Sequence, residues 1–591
     1  HGPDDFNLCL NNGIKAIETV DGDGRYTKNV LLFQGEHIFK SNPIVIEKLK
    51  KEKKLLSNGE LVHSYPHSWR SKAPLIYRNT PQWFISMSAT GLRDTALEAI
   101  KKVRWVPASG QRRISSMIES RPDWVVSRQR IWGVPITVFI DKSSGIPLRD
   151  ANVQERIAAA ISVEGADAWF TSSKDRFLAP DYDSEKYEQV TDILDVWFDS
   201  GSTHSFVLES REDLIWPASL YLEGSDQHRG WFHSSLLESC GTRGVAPYEA
   251  VLTHGFVVDG DGRKMSKSSG NVVAPEQVIN KYGADILRLW VMASDYSEDL
   301  RMSDEILRHQ TDAYRRLRNT LRYLLGNLEG FTDLEKLDYD DMPLLERWIL
   351  HRVWEIDKNI RQRCQDFDFH GVFALLHNFC SIELSAFYFD VRKDSLYCDT
   401  QVDVRRRAVR TVLDTIFNCL CAWLAPFLTF TADEAWLARY PEDDGSIHLE
   451  SFPSIPEKWQ NDSISEQWEK LRTLRRVVTG ALEIKRVDKS IGSSLQAAVR
   501  IFAPTAYQDA CLDIDMAELF ITSGASFVIG SPPSNAFSLE DVKDIAVVVE
   551  IAKGEKCARC WKILSTVGES LNNSDICARC VKAVTESEIK V

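Results

Sequence analysis

The stretch Gly260-Asp261-Gly262-Arg263-Lys264-Met265-Ser266-Lys267-Ser268-Ser269-Gly270-Asn271 decides how this chain is read. Two lysines and three serines lie between positions 264 and 269, with glycines on both sides. Glycine lets a backbone approach a ligand closely, lysine supplies a point charge, and hydroxyls and free amides donate hydrogen bonds. That set suits a loop closing over a polyphosphate. A generic KxxKS match is more often a solvated basic loop, so the surrounding sequence has to arbitrate.

The chain has 591 residues, enough for about three to five domains with cores of their own. Hydrophobic content of 43% and charged content of 26% describe an ordinary soluble globular protein. No apolar run reaches the roughly 18 residues of a membrane span, so no membrane partner is expected. The sequence begins at His1 and its first methionine is Met87. It therefore reads as a fragment, and its start says nothing about targeting. The net charge of −14 argues against nonspecific coating of nucleic acid. Local basic surfaces stay effective at short range. Tyr314-Arg315-Arg316-Leu317-Arg318 and Arg472-Thr473-Leu474-Arg475-Arg476 are two such patches, each either an RNA contact or a solvated helix face.

Of twelve cysteines, eight are scattered, as small buried thiols in a reducing compartment are. The other four form Cys557-Ala-Arg-Cys560 and Cys577-Ala-Arg-Cys580, two CxxC knuckles separated by sixteen residues. Four thiolates so spaced converge tetrahedrally on one Zn²⁺, and with no open position that zinc is structural.

Along the chain, 1–65 reads as strands and turns, with Asp21-Gly22-Asp23-Gly24 as a turn signal. Residues 66–123 form a proline-bearing connecting module. From 124 to 303, β-rich runs such as 134–140 and 250–253 alternate with helical patterns such as 231–239, which implies βαβ units and a parallel sheet. Residues 304–470 read as a helical bundle that ends in a Pro- and Asp-bearing connection. Residues 471–545 look mixed α/β, and 546–591 hold the zinc knuckles.

Three further segments precede the loop: Trp124-Val-Val-Ser-Arg128-Gln-Arg130-Ile-Trp132-Gly-Val-Pro135, Asp195-Val-Trp197-Phe-Asp199-Ser-Gly201, and Tyr221-Leu-Glu223-Gly-Ser-Asp226-Gln227-His228-Arg229-Gly-Trp231-Phe232. Their order, together with the KMSKS string, resembles the isoleucyl-tRNA synthetases, a branch of the class I aminoacyl-tRNA synthetases, and the resemblance extends over essentially the whole chain. It implies a multidomain α/β and all-α fold: the second half of a Rossmann-type catalytic domain, a helical-bundle anticodon-binding domain and a C-terminal zinc module of bacterial type. The implied reaction joins isoleucine to tRNA(Ile) through an isoleucyl-adenylate, with ATP and Mg²⁺, in a cytoplasmic monomer.

The resemblance assigns Lys264 and Lys267 to the departing pyrophosphate. It gives Met265, Ser266 and Ser268 to ATP along with Lys267. It places Glu223, Asp226 and Gln227 on the adenylate and α-ammonium, where a carboxylate and hydrogen-bonding groups suit the chemistry. A capping cluster for the following helix is the alternative for these three. Trp197 and Trp231 would wall the aliphatic side chain, although buried tryptophan is more often plain core. Arg315, Arg316 and Arg318 would meet tRNA phosphates.

His1-Gly2-Pro3-Asp4-Asp5-Phe6 resembles the end of the family's editing motif, in which Asp5 would receive the α-ammonium of mischarged valine. Editing is needed because one methylene is worth only about 1–3 kcal/mol, a limit for which isoleucyl-tRNA synthetase is itself the standard illustration. The His-x-Gly-His element that stacks under ATP in this family is absent from the sequence, so the chain alone should not activate isoleucine. Some relatives bind a further zinc near 65–71; here Ser68 and Ser71 stand in the cysteine places, so no metal is expected there. A valyl-type enzyme is disfavoured by Asp195-Val-Trp197-Phe-Asp199-Ser-Gly201 and the zinc tail. A non-catalytic tRNA binder built from a truncated synthetase is the alternative of a different class.

Overall fold

The computed structural model describes residues 2–68, 71–130, 132–266, 270–442 and 444–588. They divide into two compact units, His1–Thr253 and His254–Val591.

In the first unit, 1–65 was expected to be strands and turns; the turns are present, but two helices stand where strands were expected. Helices Pro3–Asn11 and Ile38–Lys51 flank a turn, and the β pairing among its described residues is limited to isolated bridges (Val20 with Tyr26, Arg25 with His37). The reason is local. His37 Nδ1 accepts from the Phe39 amide, and Lys48, Lys50 and Lys51 populate the last turn, where cations suit the helix dipole. The Asp21 turn forms as read, its Oδ1 accepting from the amides of Asp23 and Arg25 at 3.0 and 2.9 Å.

The centre of this unit is a three-stranded sheet in the order Arg104–Val106, Ala250–His254, Tyr221–Gly224, with the first two strands parallel. Helices Leu92–Ile100, Ser109–Glu119 and Trp231–Arg243 supply its buried apolar residues, among them Ile100, Ile114, Ile118, Phe232 and Leu236. The helix expected at 231–239 and the strand at 250–253 are both present. The strand expected over 134–140 shrinks to Phe139–Asp141. Pro135 has no amide to donate and makes only an isolated bridge with Ile193. Phe139–Asp141 pairs antiparallel with Tyr187–Gln189 over a satellite core of Phe139, Trp169 and Phe177.

The second unit starts with Val257–Asp259, which pairs parallel with Leu300–Met302. Long helices follow: Asp304–Asn327, Leu344–Gln365, Val404–Leu424 and Asp462–Val487. Within the continuous helical run Phe369–Cys398 an 18-residue window reaches a mean hydropathy of 1.3, so this run, where no span was expected, is long and apolar enough to cross a bilayer by length and composition alone. Inside this fold its Leu376, Phe379, Leu384, Tyr388 and Phe389 pack in the bundle core.

The helix Asp462–Val487 runs straight through position 470, where a boundary was expected. Leu471, Leu474, Val477 and Val478 continue the apolar stripe that Trp468 begins, so the helical period is not interrupted there. The four-stranded sheet that follows has the order Gly524–Phe527, Ala497–Phe502, Val542–Ile551, Phe537–Leu539. Its strand Val542–Ile551 likewise crosses the boundary expected at 546. Arg475 leaves its expected basic patch: its guanidinium turns inward onto the Leu519 carbonyl and over the Phe387 ring.

Candidate functional site

Three of the four motif segments meet in the first unit, and Asp195 is where the first two join. As N-cap of helix Val196–Gly201 it accepts from the Trp197 amide. Its other oxygen takes the Arg128 guanidinium at 2.9 Å and the Trp124 indole N–H at 3.3 Å. The second and third segments join at the indoles. Trp231 Nε1 donates to the Ser200 carbonyl at 2.9 Å, and its ring stacks on Tyr221 with centroids 4.1 Å apart. The Trp197 ring lies against Gly230, where a Cβ would sit 2.8 Å from Cη2 and 2.5 Å from Gln227 Oε1. Only glycine allows that approach.

Gln227 Oε1 accepts from the Trp231 amide at 3.0 Å, so this residue caps the following helix. Glu223, exposed at the end of strand Tyr221–Gly224, accepts from the Gly224 amide, and Asp226 accepts from Gln227 Nε2 at 3.4 Å in the turn Ser225–His228. The two carboxylates present open anionic groups beside a stacked aromatic pair, which suits an ammonium or ribose hydroxyls.

A cleft of about 320 Å³ in the same unit is lined by Arg121, Trp124, Asp195, Trp197, Gly230 and His233 among others; of the expected pocket residues it takes in Trp197 but not Glu223, Asp226, Gln227 or Trp231. Trp197 is 42% exposed at its edge. Burial lowers the His233 imidazole to a pKa of about 3, with help from the Arg121 charge. The ring is therefore neutral, and neither nitrogen has a hydrogen-bond partner among the described residues. The site thus combines an ion-paired floor, a neutral imidazole and an indole wall. Sequence reading quoted Asp195 at the head of the second segment but gave it no role, although an aspartate ahead of a short helix signals an N-cap, and it had no signal for His233.

The Gly-rich segment from Gly260 to Asn271 lies in the second unit. Asp259 Oδ2 accepts from Asn271 Nδ2 at 2.9 Å, and Asn271 Oδ1 accepts from the Ser266 amide at 3.0 Å, stapling the two ends of the loop. The Asn271, Arg263 and Asp261 donors hold the Asp259 carboxyl below its ordinary pKa. Lys264 is exposed, whereas Met265 packs against the cluster of Val278, Ile286, Trp290, Met302 and Leu307. Lys267 and Ser268 lie outside the described residues. The staple residues were not singled out from sequence, although an Asp and an Asn flanking a Gly-rich loop carry a signal.

Elsewhere, Asp5 sits in the first turn of Pro3–Asn11 and accepts from the Gly2 amide at 2.9 Å. Arg315, Arg316 and Arg318 are exposed on helix Asp304–Asn327, with Arg315 paired to Asp312 at 3.2 Å. Cys557, Cys560, Cys577 and Cys580 are buried together, with all four Sγ atoms within 4.8 Å of one another. Cys560 and Cys577 Sγ are 3.8 Å apart. Zn–S bonds of about 2.3 Å in a tetrahedron place sulfurs about 3.8 Å apart, so the four thiols fit a single zinc.

Glu238 lies deep in helix Trp231–Arg243. Burial and the Asp199 charge push its pKa up to about 9. Its unfolded pKa is near 4.5, so between these values the folded chain holds a proton that the unfolded chain has released. Its contribution is present in full below pH 4.5 and is lost as pH rises toward 9. Glu238→Gln, which stays neutral, is expected to match the parent at pH 4. At pH 8 it should be more stable by about 1–3 kcal/mol, read as the difference in urea midpoints at the two pH values.

Residues 17–303 match the family profile of tRNA synthetases class I (I, L, M and V). Residues 346–501 match the anticodon-binding domain of tRNA ligase, and 554–583 match the zinc finger found in FPG and IleRS. The isoleucine–tRNA ligase of Pelagibacter ubique (strain HTCC1062) is 55% identical over 566 residues, covering 95% of this chain and 61% of that protein. That of Brucella abortus (strain 9-941) is 51% identical over 619 residues, covering 99% and 63%. The chain thus spans about six tenths of the length of these relatives. Among solved structures, Mycobacterium tuberculosis methionyl-tRNA synthetase in complex with methionyl-adenylate aligns with a TM-score of 0.45 at 18% identity, over 64% of this chain and 66% of that one.

Proposed function

Because the chain belongs to the class I tRNA synthetases (I, L, M and V), we propose that it serves an ATP-dependent isoleucine–tRNA ligase. What carries this reading is the convergence of three motif segments on Asp195 and Trp231, supported by relatives above 50% identity that bear that name. In the proposed reaction a carboxylate oxygen of isoleucine attacks the α-phosphorus of ATP, and the bond to pyrophosphate breaks. The acyl group then passes to the terminal adenosine of tRNA(Ile). Such transfers need positioning and charge neutralisation more than covalent help. Mg²⁺ bound with ATP would screen the phosphate charge.

Lys264 and Lys267 hold the departing pyrophosphate, with Ser266, Ser268 and Met265 in the same loop toward ATP. Glu223, Asp226 and Gln227 receive the α-ammonium and ribose, and Trp197 and Trp231 face the aliphatic side chain. The exposed row Arg315, Arg316 and Arg318 meets tRNA backbone. Asp5 takes the α-ammonium of valine during editing. The whole enzyme works as a monomer in the cytoplasm.

The sequence holds no His-x-Gly-His string. This chain alone is therefore expected to give no isoleucine-dependent pyrophosphate–ATP exchange, and exchange should appear when a relative's segment carrying that element is added. Lys264→Ala should then lower the restored rate by about 100-fold. Exchange by the chain alone would show the missing element to be dispensable. Silence of the folded mixture, with tRNA binding intact, would favour a non-catalytic tRNA binder.

A further inference from the structure

Three hydrogen bonds converge on the side chain of Asn271, and the ligase reading gives that residue no task. Its Oδ1 accepts from the Ser266 amide at 3.0 Å. Its Nδ2 donates to Asp259 Oδ2 at 2.9 Å and to the Lys264 carbonyl at 3.3 Å. A backbone amide can only donate, while a carboxylate and a carbonyl can only accept, so all three partners demand the same orientation of the carboxamide.

Asp259 is a fixed base for this contact. It ends the strand Val257–Asp259, which pairs with Leu300–Met302. Its Oδ1 accepts from the Arg263 amide at 2.8 Å and the Asp261 amide at 3.1 Å, leaving Oδ2 for Asn271. Gly262, with φ at +82°, turns the chain back so that Lys264 bridges to Val258. The Lys264 backbone is therefore held by that bridge on one side and by Asn271 on the other. Met265, the next residue, packs on the cluster of Val278 and Trp290. The Lys264 side chain itself is exposed. A lysine stem is flexible, so the fold can direct its ammonium only by fixing where the stem begins.

We propose that Asn271, oriented by Asp259, is a positioning residue that fixes the backbone from Lys264 to Ser266 and so aims the Lys264 ammonium at the departing pyrophosphate. This rests on the role proposed above for Lys264. The chemistry of the pair is directional. Asn271→Asp removes both Nδ2 donations and sets a second carboxylate beside Asp259. Asp259→Asn turns one amide N–H toward another, because its oxygen stays with the two backbone amides. The exchanged pair, Asp259→Asn with Asn271→Asp, again sets a donor against an acceptor and keeps the Ser266 contact. Only the longer bond to the Lys264 carbonyl is lost.

The test has two arms. Isoleucine-dependent pyrophosphate–ATP exchange is measured on the chain supplied with the segment carrying the His-x-Gly-His element. Tryptic cleavage after Arg263 and Lys264 is measured on the chain alone. Asn271→Asp should lower kcat by about 10- to 100-fold and leave KM for isoleucine unchanged, a split that general loss of fold would not give. In a Lys264→Ala background the same substitution should cost less than about threefold, because the group it positions is gone. The exchanged pair should keep more activity than either single variant. Trypsin should cut the Asn271→Asp chain about tenfold faster than the parent, with the exchanged pair in between. Additive losses in the exchanged pair, a full cost of Asn271→Asp without Lys264, or equal cleavage of parent and variant overturns the proposal. Silence of the parent mixture overturns the ligase reading instead, and the cleavage rates then still decide whether Asn271 holds the loop.

Discussion

Cys577→Ala is expected to abolish zinc retention and release the C-terminal module from the helical bundle. The four thiols sit with tetrahedral spacing, and Cys557 Sγ also accepts from the Cys577 amide at 3.4 Å, so each knuckle braces the other. In modules of this size the metal supplies the folding free energy, with apparent values of about 10–16 kcal/mol. The apolar cluster beneath consists of Ile576, Leu564, Val567, Val581 and Val584 with the cysteines themselves, too few residues to hold the module unaided.

The third residue of each knuckle makes the loss propagate. Arg559 donates to the carbonyls of Tyr397 and Cys398, at the end of helix Phe389–Cys398, where a cation suits the helix dipole. Arg579 grips both oxygens of Asp394 at 2.5 and 2.7 Å. The metal thus sets the spacing of two arginine anchors on one helix. Metal analysis should find one zinc per parent chain and none in the variant. Limited proteolysis should cut 554–583 in the variant or in chelator-treated parent, while the bundle stays protected. A module equally protected without metal would show that its apolar contacts suffice.

Arg392→Met is expected to destabilise the second unit by about 3–5 kcal/mol. Arg392 is buried with its fork on Glu346 at 2.8 and 2.7 Å, and its remaining nitrogen lies 2.9 Å from Glu518. Glu346 is fully buried and also accepts from Tyr388, while Glu518 accepts from Ser395. Burial works to lower the Arg392 pKa, and the two carboxylates more than offset it.

Removing the arginine leaves the fully buried Glu346 without a cation and Glu518 with only Arg405 at 3.6 Å, and that, rather than the lost attraction, sets the size of the effect. The triple change Glu346→Leu, Arg392→Met and Glu518→Leu should therefore cost far less than the single one. Urea midpoints of the two variants check this, and a triple variant as unstable as the single would refute the account. The trio ties Leu344–Gln365 and Phe389–Cys398 to the short helix Met516–Phe520, so it joins the bundle to the following α/β segment.

Patterns carried by nearest neighbours were legible in the chain itself. The helix at 231, the strand at 250 and the turn at Asp21 follow from periodicity and turn chemistry, which act within a few residues. The helices of 1–65 were not legible, because their capping His37 and terminal lysines were outweighed by turn signals between them. Boundaries at 470 and 546 failed for a related reason: composition changes there, but the apolar stripe of Asp462–Val487 and the ladder of Val542–Ile551 do not. The spatial partners of site residues were the least visible. Asp195 meets Trp124 across 71 positions of sequence, and no local signal specifies that pairing.

By itself the sequence determined the family, the four ordered motif segments and the zinc ligands, since each rests on residue types at short fixed spacings. Only the tertiary structure decided that Asp195 joins two motifs and that Gln227 caps the helix of Trp231. It alone buried Glu238 against helix Val196–Gly201 and set both knuckle arginines on one helix. The physical reason is common to all four. Burial and hydrogen-bond partnership depend on which distant segments pack together, and a side chain's charge state follows from that packing rather than from its own identity.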